Sequence, residues 1–196
     1  MRHTSVVAMP VSESAPKGPE IVESYRDFEP PRNFRKNVET LLRYVPPKFL
    51  IGLKTIVLTN REGLTRNKRR QKVWSRHHKI RLADALGSYS HATRSSPATV
   101  WLYVDNIVRA EGPAFRFFPV LRYLVKGEVL YHEIGHHIHT EHRPVHEERE
   151  DTADDWKDKL MVDFYRKHYR YISPLLYVFA RLTRPIFQQS NKPPDK

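Results

Sequence analysis

The stretch of residues 129–138 constrains this chain more than any other. It reads VLYHEIGHHI and places His132, Glu133 and His136 in the pattern HExxH. On an α-helix, residues four apart lie on the same face, about one turn from each other. Both imidazoles then reach one metal ion from the same side, and Glu133 lies beside that ion as a general base. The stretch therefore predicts a helix that carries a catalytic metal site.

The residues that flank the motif are apolar, as a half-buried helix in an active site requires. They are Val129, Leu130, Ile134 and Ile138. The competing interpretation is a His-rich helix on the surface of a basic protein, and the apolar flanks argue against it. Because imidazole nitrogen is a common ligand of Zn²⁺, we expect one zinc ion at this helix.

A catalytic zinc site takes three protein ligands and keeps a fourth position open. His142 is one candidate for the third ligand, because its distance from His136 matches the metzincin-like motif HExxHxxGxxH. That motif needs a sharp turn at a glycine, and this sequence has His139 there, which resists a positive φ. Glu150 is the other candidate, with Glu147 and Glu148 as alternatives if the register shifts.

Beyond HExxH, the chain resembles the gluzincin-type metallopeptidases, in which a second helix carries ExxAD. The matching residues are His132, Glu133, His136, Glu150, Ala153 and Asp154. The resemblance implies that Glu150 is the third zinc ligand. It also implies that Asp154 accepts a hydrogen bond from a ligand imidazole and orients it. Ala153 is small, so it lets the second helix lie close to the first. The resemblance is confined to about residues 99–160.

The resemblance further implies an α+β, zincin-like fold, with a small mixed sheet packed on the two motif helices. Residues 99–108 (TVWLYVDNIV) are bulky and β-branched and predict a strand. We expect substrate to bind extended along residues 100–108, because such folds run a strand along the cleft. The side chain that stabilises the oxyanion is not fixed by the motif. His139 is a candidate, as are Tyr89, Tyr165 and His168.

The rest of the chain predicts one domain with loose ends. Residues 1–30 are rich in Pro, Ser and Glu and predict a disordered or loosely docked arm. Residues 31–187 form the expected zincin-like domain. In it, Phe34, Val38, Leu41 and Leu42 recur at helical spacing. Residues 50–58 predict a strand, residues 117–139 and 146–160 predict helices, and residues 173–187 predict a helix of the core. Residues 188–196 predict a disordered tail.

Segment 61–81 is strongly basic, with nine Lys or Arg residues and little apolar content. It predicts a solvated loop that contains a short hairpin. The chain carries a formal charge of +12, so acidic partners such as nucleic acid are compatible with it. The alternative function is therefore a non-catalytic, zinc-stabilised protein that binds nucleic acid or an acidic partner through this segment. A charged, mobile loop without a partner is the simpler interpretation.

The composition favours a cytoplasmic enzyme. Cysteine is absent, the N-terminal stretch lacks an apolar region of signal-peptide length, and no stretch approaches the length of a membrane span. The sequence therefore predicts a cytoplasmic zinc metallopeptidase that hydrolyses peptide bonds through a metal-activated water, with Glu133 as general base. Its partner is a peptide or protein substrate, and nucleic acid is not favoured.

Overall fold

The computed structural model describes residues 18–75, 78–112, 121–142 and 150–170, with the side chains of residues 74, 75, 78 and 142 excepted. The strands and helices are β1 Glu20–Ser24, α1 Phe34–Leu42, β2 Leu53–Thr59, α2 Arg66–Arg70, β3 Lys72–Ser75, β4 His78–Arg81, β5 Gly87–Ser90, β6 Ala98–Tyr103, α3 Val104–Ala110, α4 Leu124–His142 and α5 Glu150–His168. Short 3-10 turns at Pro47–Leu50, Arg61–Gly63, Leu82–Asp84 and Leu121–Tyr123 connect several of them. The architecture is α+β, as the sequence predicts.

The main sheet is mixed and has four strands in the order β1-β2-β6-β5. Strands β1, β2 and β6 are parallel, and β5 runs antiparallel to β6. The central strands β2 and β6 are rich in β-branched and aromatic residues, which suit a pleated surface buried on at least one face. Strand β5 is one edge of the sheet, so one side of its backbone is not paired within it.

Helix α4 packs on one face of this sheet, and α1 and α5 pack against α4 to form one core with it. The alternating residues Ala98, Val100 and Leu102 of β6 are fully buried and point to that face. In α1, Phe34, Val38 and Leu41 are buried, as their helical spacing predicts. The apolar residues around the HExxH motif complete this core, and Val129, Leu130, Ile134 and Ile138 are all buried.

The described part of segment 61–81, residues 61–75 and 78–81, is folded, which corrects the expectation of a solvated loop. It contains a 3-10 turn, helix α2 and the antiparallel ribbon β3–β4. The predicted short hairpin is therefore confirmed, and the predicted loop around it is not. A second small core holds this segment against the other face of the sheet. Its members are Leu64, Leu82, Ala85 and Tyr103, with Val73, Ile80 and Trp101 packed against them.

Two further expectations are wrong. The arm predicted for residues 1–30 contains β1, which pairs with β2 along Glu20–Ser24, so its described part belongs to the sheet. The strand predicted for residues 99–108 ends at Tyr103, and the chain continues as α3. Both sides of β6 are occupied by β2 and β5, so substrate does not pair with the strand at residues 100–108.

Helix α4 ends later than predicted, and α5 extends through residues 161–168. Helix α4 runs through residue 139 to His142, and α5 continues without interruption to His168. The predicted starts at residues 117 and 146, the helix at residues 173–187 and the C-terminal tail lie outside the described residues. In the part of the chain that is described, every helix is too short or too polar to cross a membrane.

Candidate metal centre

Helix α4 presents two neighbouring rows of side chains to two different partners. Residues four apart share a face, so His132 and His136 form one row, which faces α5. Glu133 and His137 form the adjacent row, which faces strand β5. The two histidines and Glu133 therefore face different partners, although His132 and Glu133 are neighbours in the chain.

Glu150 completes a cluster with the two histidines. The Nε2 atoms of His132 and His136 lie 3.1 Å apart. Glu150 Oε2 lies 3.3 Å from His132 Nε2, and Glu150 Oε1 lies 3.9 Å from His136 Nε2. This is the group of ligand atoms among the described residues that a single metal ion could bind. Glu150 is the first residue of α5, so the helix start positions its carboxylate.

Asp154 and Lys157 extend the cluster on α5. Asp154 Oδ1 lies 3.0 Å from His132 Nδ1 and 3.0 Å from Lys157 Nζ. Burial opposes ionisation of Asp154, but the hydrogen bond and charge of Lys157, with a contribution from His132, lower the pKa of the carboxyl. An ionised Asp154 accepts a hydrogen bond from the Nδ1–H group of His132. In this tautomer Nε2 carries no proton, and it is directed at the cluster.

The cluster fits a zinc ion. Burial lowers the pKa of His132, and the neighbouring His136 acts in the same direction, against Asp154 and Glu150. The neutral imidazole, which is the form that binds metals, is thereby favoured. Two imidazole nitrogens on a tetrahedral Zn²⁺ are about 3.3 Å apart when each bond is about 2.0–2.1 Å. The Nε2 atoms of His132 and His136 are separated by a similar distance.

A close helix crossing sets the distance between the histidines and Glu150. Gly135 lies against the backbone of Ala153: a β-carbon at Gly135 would lie 2.7 Å from the Ala153 carbonyl oxygen. Ala153 is fully buried. The sequence points to Ala153 as the small residue at this crossing, and the structure shows that Gly135 is its counterpart on α4.

Glu133 lies against the edge strand. A β-carbon at Gly87 would lie 2.8 Å from Glu133 Oε1 and 2.9 Å from Val129 Cγ1. Next to Gly87, the Ser88 hydroxyl lies 3.0 Å from the Tyr103 hydroxyl. Burial raises the pKa of Tyr103 to about 12, and the charge of Glu133 adds to that shift. The buried carboxyl of Glu133 is therefore beside the backbone of β5.

His137 connects the same edge strand to the loop before β2. Its Nε2 lies 2.9 Å from the Ile51 carbonyl oxygen, and its Nδ1 lies 3.1 Å from the Tyr89 hydroxyl. A carbonyl only accepts, so Nε2 carries the proton and Nδ1 accepts from Tyr89. His137 is buried. Its Nδ1 holds β5 beside α4, and its Nε2 holds the loop before β2.

The remaining sequence candidates have different positions. His139 is buried in α4, three residues after His136, and is not part of the cluster of His132, His136 and Glu150. The Tyr89 hydroxyl is hydrogen-bonded to His137, and His168 is hydrogen-bonded to the Tyr44 hydroxyl. Tyr165 stacks on Tyr169. His142 ends α4, so the turn that a metzincin-like site needs at residue 139 is absent. The side chain of His142, together with Glu147 and Glu148, lies outside the described residues.

Several residues of this site are not apparent from the sequence alone. Gly87 and Gly135 have no distinguishing local pattern, and their role arises from close approach of another element. Lys157 could have been found, because it lies three residues after Asp154 on a predicted helix and such pairs meet. His137 is adjacent to a motif histidine and differs from it only in the helix face that it occupies.

Comparison with known proteins finds no relative. No protein-family model matches the chain, and no curated protein or solved structure is similar to it. Function is therefore inferred from the chemistry of the site alone.

Proposed function

We propose that this protein is a zinc-dependent, zincin-like metallopeptidase. The observation that carries the proposal is the convergence of His132, His136 and Glu150 from two helices, with Glu133 one residue away on the adjacent helix face. Two imidazoles and a carboxylate are the ligand set of catalytic zinc sites that retain an open position. A zinc ion bound there would act as a Lewis acid and lower the pKa of a water molecule.

Glu133 is the proposed general base. It takes a proton from the attacking water and transfers it to the amine that leaves as the peptide bond breaks. Its side chain is buried between α4 and β5. Asp154 supports the reaction by holding His132 in one tautomer, and Lys157 keeps Asp154 ionised.

Strand β5 is the proposed guide for the substrate backbone. It is the edge of the sheet nearest Glu133, and its antiparallel partner β6 occupies only one of its sides. An extended peptide can add to such an edge through main-chain hydrogen bonds. The bond of His137 to Tyr89 fixes this strand relative to α4, so the strand and the base keep a constant spacing.

The decisive experiment measures zinc and hydrolysis in the same preparations. Zinc content by mass spectrometry is compared for the wild type, His132→Ala, Glu150→Ala and His142→Ala. We expect about one zinc per chain in the wild type and in His142→Ala, and loss of zinc in the other two. Loss in His142→Ala with retention in Glu150→Ala would replace Glu150 by His142 as the third ligand.

A second variant separates catalysis from a structural metal site. Glu133→Gln keeps the shape of the side chain but removes the base, so we expect retained zinc and loss of hydrolysis of a fluorogenic peptide mixture. Hydrolysis at the wild-type rate in this variant would overturn the role of Glu133. A wild type that binds zinc but cleaves no peptide would support the non-catalytic alternative.

A further inference from the structure

The surface of segment 61–81 has a concentrated positive charge. It contains nine Lys or Arg residues and one Glu, and so carries a formal charge of +8 out of +12 for the whole chain. The described part of the segment is folded, and Leu64, Val73 and Ile80 anchor it in the small core that also contains Tyr103 of β6. The charges on its described residues are therefore presented in a fixed arrangement.

Like charges lie next to each other on this surface. Lys72 and Arg81 are direct partners in the register of the β3–β4 ribbon. Arg66 and Arg70 lie four residues apart on α2, and all four side chains are exposed. Like charges directly opposite in a ribbon, or four apart on a helix, reduce stability. None of these four side chains packs in the small core, so none of them stabilises the fold through burial.

The four residues differ from the other cations nearby. Arg69 is paired with Glu62 at 2.6 Å, and Lys68 lies over the Trp101 ring. Arg66, Arg70, Lys72 and Arg81 form no ion pair with any residue in the described ranges. Their positive charges remain available to a polyanion.

We propose that this basic face, consisting of Arg66, Arg70, Lys72 and Arg81, binds the phosphate backbone of a nucleic-acid duplex without sequence specificity. Bound phosphates would offset the repulsion between Lys72 and Arg81 and between Arg66 and Arg70. The counterions released from the nucleic acid would drive binding. A two-stranded ribbon has dimensions that fit the major groove. This proposal is independent of zinc and of peptide hydrolysis.

A membrane surface fits the same face less well. Elements that bind a lipid interface combine cations with exposed apolar side chains. Among the described residues, the exposed large hydrophobics are Val22, Ile51 and Val162, and none of them lies in segment 61–81. The chemistry of the face is cationic and polar, which favours nucleic acid.

The test is fluorescence anisotropy with a labelled mixed-sequence DNA duplex of about 20 base pairs, titrated with the full chain at several salt concentrations. Four phosphate contacts predict a slope of about −3.6 for log K against log salt. Between about 50 and 200 mM salt the affinity then falls roughly a hundredfold. No binding at low salt, or binding independent of salt, would overturn the proposal.

Variants assign the binding to this face. We expect Lys72→Gln/Arg81→Gln and Arg66→Gln/Arg70→Gln each to make the slope shallower by about 1.8. The control Lys36→Gln/Arg43→Gln removes the same charge from exposed positions on and just after α1 and should leave the slope unchanged. An equal loss in the control would show that only net charge acts, against the proposal.

Two further measurements keep the result interpretable. Circular dichroism establishes that each variant is folded; if the ribbon variant is not, the α2 variant decides, because its two residues are exposed and outside the small core. Sedimentation with vesicles containing about one-third phosphatidylserine tests whether the same cations bind the phosphate groups of a lipid surface instead. Binding to these vesicles but not to the duplex would overturn the assignment to nucleic acid.

Discussion

Gly135 packs directly on the backbone of Ala153, and this contact sets the separation of α4 and α5. A β-carbon added to Gly135 would lie 2.7 Å from the carbonyl oxygen and 2.9 Å from the Cα atom of Ala153. His136 follows Gly135 on α4, and Glu150 begins the helix that carries Ala153. The closest approach of the two helices is therefore beside the proposed metal site, where small changes in separation alter the positions of the ligands.

Gly135→Ala should destabilise the protein and weaken its binding of zinc. Glycine to alanine inside a helix usually stabilises by about 1 kcal/mol. Here the added methyl meets backbone atoms that cannot rotate away, and overpacking of this kind costs about 1–3 kcal/mol. Denaturant unfolding and a zinc titration with a competing chelator measure the two effects.

Gly127→Ala is the matched control on the same helix. Its added methyl would meet the Met161 sulfur at 2.7 Å, but that atom belongs to a flexible side chain that can move. We expect unchanged zinc affinity and a stability equal to that of the wild type or higher. Equal zinc affinity in the Gly135 and Gly127 variants would show that the crossing does not control the site.

Asp154→Asn should weaken zinc binding by about 10- to 100-fold without abolishing it. The variant keeps the shape of the side chain but loses the charge that fixes the His132 tautomer. Asp158→Asn is the control, because Asp158 is largely exposed and lies near the same Lys157 at 3.6 Å. A chelator competition assay should show a change only for Asp154→Asn.

Gly87→Ala should reduce hydrolysis while zinc is retained. The new methyl displaces the Glu133 carboxylate, whose Oε1 would be only 2.8 Å away. A displacement of about 1 Å at a reacting group costs roughly 100-fold in rate. The readout is kcat on a fluorogenic peptide, together with zinc content. Ser90→Ala, at an exposed position of the same strand, should keep the wild-type kcat.

His137→Phe should lower the stability by about 1–3 kcal/mol, because it leaves the Ile51 carbonyl without its donor. Tyr89→Phe removes only the bond to Nδ1 and should cost less. Zinc content should stay at the wild-type level in both variants, in contrast to His136→Ala. Zinc loss in His137→Phe would mean that His137 contributes to the metal site.

His168 makes stability depend on pH. Burial lowers the pKa of His168 from its ordinary value of 6.5. The unfolded chain then binds a proton at a higher pH than the folded chain does, so the stability contributed by His168 is complete above pH 6.5 and is lost as pH falls below it. The ring stacks on Phe164, so His168→Phe keeps a stacked ring that cannot titrate. The difference in unfolding free energy between the two proteins should be constant at neutral pH and shift in favour of the variant in acid.

The sequence predicts the local elements of the site well. The HExxH spacing and its apolar flanks predict a half-buried helix. The helix is present, but it is more deeply buried than predicted: within residues 129–139 only His132 is partly exposed. The spacing in ExxAD places Glu150 and Asp154 one turn apart, and both lie beside His132. These features depend on the period of the helix, which is a property of neighbouring residues. Strand pairing joins distant residues, so the position of β6 inside the sheet and the pairing of β1 were not predicted.

The sequence by itself determined which residues have the chemistry to bind a metal and that they occupy one helix face and the start of a second helix. Only the tertiary structure decided which edge of the sheet lies beside Glu133, and that His137 holds this edge in place. It also decided that Gly87 and Gly135 are the points of close approach. The reason is physical: a helix face is specified within one or two turns of chain, whereas a contact between elements depends on how all of them fill a common core.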